Sequence, residues 1–122
     1  REVAMAKDTI TVYEKPTCSK CREAAKLLRD NGVEFQKVNY YTQPLTEAKL
    51  TELLAKMKLK PRDVMRTGEA VYKELKLSGS SHSDSELVKL MVKHPDLLQR
   101  PIVEKGSRAV LGRPTENIEA LL

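Results

Sequence analysis

The stretch Thr9-Ile10-Thr11-Val12-Tyr13-Glu14-Lys15-Pro16-Thr17-Cys18-Ser19-Lys20-Cys21 decides the fold of this chain. Its first five residues are β-branched or aromatic and predict a strand. Glu14-Lys15-Pro16-Thr17 predicts a short loop, with Pro16 keeping it from continuing as a regular strand. From Cys18 the period changes. Cys21, Ala24, Ala25 and Leu28 fall at i, i+3, i+4 and i+7, one face of a helix. Asn31-Gly32 stops that helix, because glycine takes the left-handed cap conformation freely. Residues 33–41 predict a second strand. Strand, helix and strand in about thirty residues make a βαβ unit and favour a parallel pair.

Further along, Leu50, Leu53, Leu54 and Met57 repeat the helical spacing, with Thr46 as N-cap. Pro61 suits the first turn of a short helix, and residues 69–75 predict another. Residues 77–81 read as a loop. Ser83-Asp84-Ser85-Glu86 has the form of a capping box, Leu87, Leu90 and Met91 follow as the apolar face, and Pro95 ends that helix. Residues 101–104 and 108–111 predict two short strands around a Lys105-Gly106-Ser107 loop. Gly112-Arg113-Pro114-Thr115 leads into a last helix carrying Ile118, Leu121 and Leu122. The order is βαβ, a helical block, then ββα. It predicts an α/β chain with a thioredoxin-like fold: a four-stranded mixed sheet with a helical insertion over about residues 44–98, in a single domain spanning 1–122. Met5 is a candidate native start, and residues 1–4 are read as a leftover of cloning and set aside.

The 122 residues suffice for one hydrophobic core, and 40% hydrophobic with 32% charged residues is not a disordered composition. No apolar run approaches a membrane span, and no secretory apolar region precedes the first strand. The formal net charge of +5 fits a solvated basic surface. Aromatic residues are only 4% and no Lys/Arg block is long, which argues against direct nucleic-acid binding. A locally positive cleft for a small anion is the remaining use of the charge.

Cys18 and Cys21 are the only cysteines. A secreted chain stapled by disulfides shows more, spread along the sequence, so this pair predicts a reducing, cytoplasmic setting and redox chemistry. Cys18 sits where a strand hands over to a helix. Orphan N–H groups and the helix dipole there stabilise a thiolate, the nucleophilic form. Lys15, Lys20 and Arg22 add nearby positive charge. Cys21, one turn on, suits a resolving thiol that attacks what Cys18 has bound. The plainer alternative is that the cysteines are packing residues, which suits Cys21 better than Cys18. Zinc needs four ligands, and only His82 and His94 remain, at the wrong spacing, so no metal is expected.

Several landmarks together resemble one family. They are Tyr13-Glu14-Lys15-Pro16-Thr17-Cys18, Val64-Met65-Arg66, His94-Pro95, Arg100-Pro101-Ile102-Val103 and Gly112-Arg113-Pro114. The chain resembles the arsenate reductases of the glutaredoxin-linked, thioredoxin-fold type, together with their Spx-like relatives, over about residues 9–122. The resemblance implies that Cys18 attacks arsenate and that Arg66, Arg100 and Arg113 bind the oxyanion. Guanidinium forks donate paired, charge-assisted hydrogen bonds to such oxygens. Taken singly, each arginine is more often a surface charge, and Arg66 lies near Asp63 and Glu69 for a local ion pair. The resemblance also makes Pro101 a cis proline.

Two positions depart from the family pattern. Glu14 stands where family members carry a histidine credited with lowering the cysteine pKa; close and ionised, it would raise it, unless Lys15 compensates or Glu14 points away. Cys21 stands where glutathione-dependent members often carry serine, which implies that the chain resolves its own intermediate. The expected activity is therefore reduction of arsenate to arsenite by a monomer with no bound cofactor. Electrons come from an external thiol reductant, thioredoxin or glutathione/glutaredoxin. The alternatives are an Spx-like redox-sensing regulator that binds RNA polymerase and a general thiol-disulfide oxidoreductase.

Overall fold

In the computed structural model, which describes residues 9–79 and 81–122, the described residues divide into two compact units. One comprises the described part of Arg1–Gln43 together with Arg100–Leu122; the other is Pro44–Gln99. Residues 1–4 and Met5 lie outside the described residues.

The first unit is built on a four-stranded sheet. Its strands are β1 (Ile10–Glu14), β2 (Phe35–Asn39), β3 (Ile102–Lys105) and β4 (Arg108–Leu111), in the order β2-β1-β3-β4. β1 runs parallel to β2, Ile10 opposite Phe35 and Glu14 opposite Asn39. It is antiparallel to β3, which pairs antiparallel with β4. The crossover from β1 to β2 is helix α1 (Ser19–Asp30), whose buried residues Cys21, Ala24, Ala25 and Leu28 are those of the predicted stripe. Gly32 ends it at φ +70°, donating its N–H to the Arg29 carbonyl at 2.9 Å. Ile10, Val12, Ala24, Leu28, Val103, Ile118 and Leu121 form the core. Each fully buried leucine or isoleucine there contributes about 1.5–3 kcal/mol.

Glu14, expected in the loop, closes β1, and β2 is shorter than the expected residues 33–41. Two further details differ from the sequence expectation. The hairpin turn is Gly106-Ser107, since Lys105 already pairs with Arg108, and Gly106 takes the positive φ of +60° that a two-residue turn requires. The last helical segment, Thr115–Leu121, is a 3₁₀ helix, closed by bonds such as Leu122 N–H to the Glu119 carbonyl at 3.1 Å. It brings Ile118 and Leu121 to the core.

The second unit is helical. Helix α2 (Glu47–Met57) packs against helix α4 (Asp84–Lys93), and the short α3 (Ala70–Glu74) lies between them in sequence. Thr46 caps α2 by accepting from the Lys49 N–H at 3.0 Å. Ser83 and Glu86 form the predicted capping box on α4. A 3₁₀ turn at Pro61–Val64 is followed by a bridge between Met65 and Leu98. Among the described residues no helix is long and apolar enough to cross a membrane.

Candidate functional site

Register places four strand ends at one edge of the sheet. Parallel β1 and β2 both finish there, with Glu14 beside Asn39. Antiparallel β3 starts there, with Ile102 opposite Tyr13, and β4 finishes there, with Leu111 opposite Ile102. The segments that carry Cys18, Tyr40 and Tyr41, Arg100, and Arg113 therefore leave or enter the sheet along the same edge.

Cys18 is the N-cap of α1, with an extended backbone at φ −82° and ψ 127°. Its N–H donates to the Lys15 carbonyl at 2.9 Å, and its carbonyl accepts from the Arg22 N–H at 3.1 Å. Its side chain makes no cap hydrogen bond of ordinary geometry, but the N–H groups of Lys20 and Cys21 act on the sulfur. Burial pushes the Cys18 thiol pKa up. Hydrogen bonds from the Cys21 N–H, the Cys21 thiol and the Lys20 N–H, with the charge of Arg100, outweigh it and bring the value from 9.0 down to about 7. For Cys21 burial wins. The helix seals it from solvent, the Cys18 sulfur and Glu14 add to the effect, and its pKa is pushed up to about 12.

Two arginines of this unit, Arg100 and Arg113, act on the same sulfur. Arg113 donates from Nη2 to Cys18 Sγ at 3.7 Å and from Nε to the Arg100 carbonyl at 2.6 Å. The Arg100 side chain is 8% exposed, and among the described residues its Nε and Nη1 have no hydrogen-bond partner. Burial disfavours its charge, but Tyr40, Tyr41 and the Cys18 sulfur outweigh that and raise its pKa, Tyr40 by a side-chain hydrogen bond. The bonds Arg100–Pro101 and Arg113–Pro114 are both cis. Gly112 lies between: its N–H donates to the Pro101 carbonyl at 2.8 Å, and a Cβ there would sit 2.8 Å from Pro101 Cγ.

Arg66 belongs to the second unit. It pairs with Glu69, Nε and Nη2 each 3.2 Å from Oε2, and Nη1 donates to Gln99 Oε1 at 3.4 Å. Of the two acidic neighbours expected from sequence, Asp63 instead accepts the Lys60 N–H at 2.8 Å.

The expected local cations are engaged elsewhere. Lys20 pairs with Glu23, Arg22 donates to the Thr17 carbonyl, and Lys15 Nζ lies 5.0 Å above the Tyr41 ring. Glu14 neither points into solvent nor is held by Lys15. Strand alternation puts it on the core face with Ile10 and Val12, 5% exposed, and desolvation raises its pKa. Its charge acts on Cys21.

Sequence reasoning missed Tyr40 and Tyr41. Their rings lie 5.1 Å apart, centroid to centroid, at the end of β2. The available signal was the βαβ unit itself, since residues following two parallel strands share an edge.

A model of the ArsC family matches residues 13–121. The chain belongs to the ArsC family. Among its relatives, the protein YfgD of Escherichia coli is 42% identical over 110 residues, 89% of this chain and 92% of that protein. A protein named arsenate reductase in Neisseria meningitidis is 38% identical over 93% of this chain and 97% of its own length. The global transcriptional regulator Spx of Streptococcus mutans is 33% identical over 93% of this chain and 82% of the regulator. The solved structure of arsenate reductase from Vibrio cholerae superposes with a TM-score of 0.90 at 36% identity, covering 93% of this chain and 98% of the other. The ArsC-family chain thus has the thioredoxin-like fold expected from its βαβ…ββα order.

Proposed function

We propose that this ArsC-family chain is an arsenate reductase in which Cys18 is the nucleophile and Cys21 the resolving thiol. The Cys18 thiolate attacks arsenic, a sulfur–arsenic(V) bond forms, and an arsenate hydroxyl leaves as water after taking a proton from solvent. Cys21 then loses its proton and attacks the Cys18 sulfur. The sulfur–arsenic bond breaks, its electron pair goes to arsenic, and arsenite leaves behind a Cys18–Cys21 disulfide. An external dithiol, thioredoxin or glutathione with glutaredoxin, returns both cysteines to thiols. No bound cofactor is required.

The observation that carries this reading is one edge holding a thiolate, an arginine fork 3.7 Å from it, and a buried guanidinium with two unpartnered donors. Such donors suit a tetrahedral dianion and offset its repulsion of the incoming thiolate. Arg100 and Arg113 are assigned as oxyanion ligands on this ground; Arg66 is assigned on the family resemblance alone. We take the chain as one cytoplasmic, monomeric domain with Pro44–Gln99 as its insertion.

The test is arsenite production with each reductant system. Turnover that Cys18→Ser abolishes is the expected result, and no turnover with either system overturns the proposal. Full thioredoxin-linked turnover by Cys21→Ser would remove the internal disulfide step. A redox-sensing regulator is the second reading, favoured by the similarity to Spx. It predicts capture of RNA polymerase that depends on the oxidation state of the cysteines. A general thiol-disulfide oxidoreductase predicts disulfide reduction indifferent to changes at Arg66, Arg100 and Arg113.

A further inference from the structure

We infer that Tyr40 is a positioning residue for oxyanion binding: its hydroxyl holds the buried Arg100 guanidinium so that Nε and Nη1 are kept without a protein partner for a ligand to take. The inference rests on the proposed function and deepens it, adding a residue to which the family resemblance gave no role.

A buried arginine ordinarily satisfies its five N–H donors within the protein, because an unpaired buried donor is costly and one on a charged group more so. Arg100 leaves two donors unpartnered although it is 8% exposed. Something must hold the fork in that state. Tyr40 is itself buried, 3% exposed, and its hydroxyl oxygen accepts a side-chain hydrogen bond from the guanidinium. Tyr40 is in turn backed by the Tyr41 ring, and Lys15 covers Tyr41 from the other segment at this edge. The Arg100 carbonyl is fixed from its other side by Arg113 Nε at 2.6 Å. Backbone and side chain are thus both tied. The unpartnered donors are then already oriented when a ligand reaches them, which lowers the cost of ordering them on binding. A neutral hydroxyl suits this task. A carboxylate would also hold the fork, but it would repel the anion.

Arsenate binding measured by calorimetry in a Cys18→Ser background, where no adduct can form, tests the inference. Tyr40→Phe, which keeps the ring and removes the hydroxyl, is compared with and without Arg100→Lys. The expected result is a loss of about tenfold or more in arsenate affinity when Arg100 is present. With Arg100→Lys already in place, Tyr40→Phe costs less than about threefold, because the two act as a unit. Thermal melts accompany each variant, since a purely structural role lowers the melting temperature without this coupling. Equal losses in both backgrounds, or no loss in either, overturn the inference while leaving the proposed function standing. Absence of arsenate binding by the Cys18→Ser parent, together with absence of turnover by the unaltered chain, overturns both.

Discussion

Arg113 grips the Cys18 sulfur and the Arg100 carbonyl with one guanidinium, 3.7 Å from Nη2 to Sγ and 2.6 Å from Nε to the oxygen. Arg113→Ala removes both bonds. The proposed arsenate turnover is expected to fall in kcat/KM by about ten- to a hundredfold, the range for a hydrogen bond to a charged group. Arg113→Lys keeps the charge but cannot span both acceptors, and it is expected to recover only part of the loss. Steady-state kinetics of the two variants checks this; full activity in Arg113→Ala would show that neither bond matters to the reaction.

Cys18 has its pKa lowered from 9.0 to about 7, and Cys21 has its raised to about 12. Alkylation by iodoacetamide should therefore modify Cys18 alone, with a rate that climbs to a plateau around a midpoint near pH 7. Cys21→Ala removes a thiol donor and moves that midpoint up, whereas Cys21→Ser replaces the donor and moves it less. The stability signs follow. Between about 7 and 9 the folded chain has already lost the Cys18 proton that the unfolded chain retains, so stability rises with pH there. Above about 9 the unfolded chain ionises Cys21 and the folded chain does not, so stability falls. Urea titrations of the reduced protein across this span should lose the rising part in Cys18→Ser.

Glu14 is a buried carboxyl with a raised pKa, so its ionisation in the folded chain is resisted. Folded-state pKa above the unfolded value means stability lost as pH rises from about 4.5 through the folded value. Glu14→Gln removes that loss. The variant is expected to match or exceed the parent at pH 8 in urea denaturation and to gain less at pH 4. A large loss at pH 8 would mean that the carboxylate holds a structural bond.

Gly112 has no room for a side chain, since a Cβ would stand 2.8 Å from Pro101 Cγ. Gly112→Ala should cost about 1–3 kcal/mol of stability through overpacking against a rigid ring. Because Pro101 follows Arg100 and Gly112 precedes Arg113, the shift should also weaken arsenate turnover. Chemical denaturation and kinetics on the same preparation report both effects.

Local features are legible in the sequence because their causes are local. The stripe from Cys21 to Leu28, the Thr46 cap and the Ser83–Glu86 box depend on neighbours within a few residues. The Arg66–Glu69 pair is of the same kind. Charges around Cys18 were harder. Lys15, Lys20 and Arg22 are near in sequence, yet each finds another partner, and the sulfur meets Arg113 from 95 residues away. Tyr40 looked like the end of a strand, because its role depends on Arg100, which sequence spacing alone does not bring near. Glu14 was legible in part: the alternation that buries Ile10 and Val12 also buries Glu14, whatever its charge.

The pairing of β1 with β3 has a consequence for the chain during synthesis. Cys18 emerges from the ribosome about 80 residues before Arg100 and further still before Arg113. Until β3 docks on β1, a nascent chain carries Cys18 without either arginine. Its thiol then lacks the charge of Arg100, one of the influences that lower its pKa, and the hydrogen bond from Arg113, and keeps only what the helix start supplies. The sulfur acquires its full set of partners only once β3 and β4 have formed and brought Arg100 and Arg113 to it.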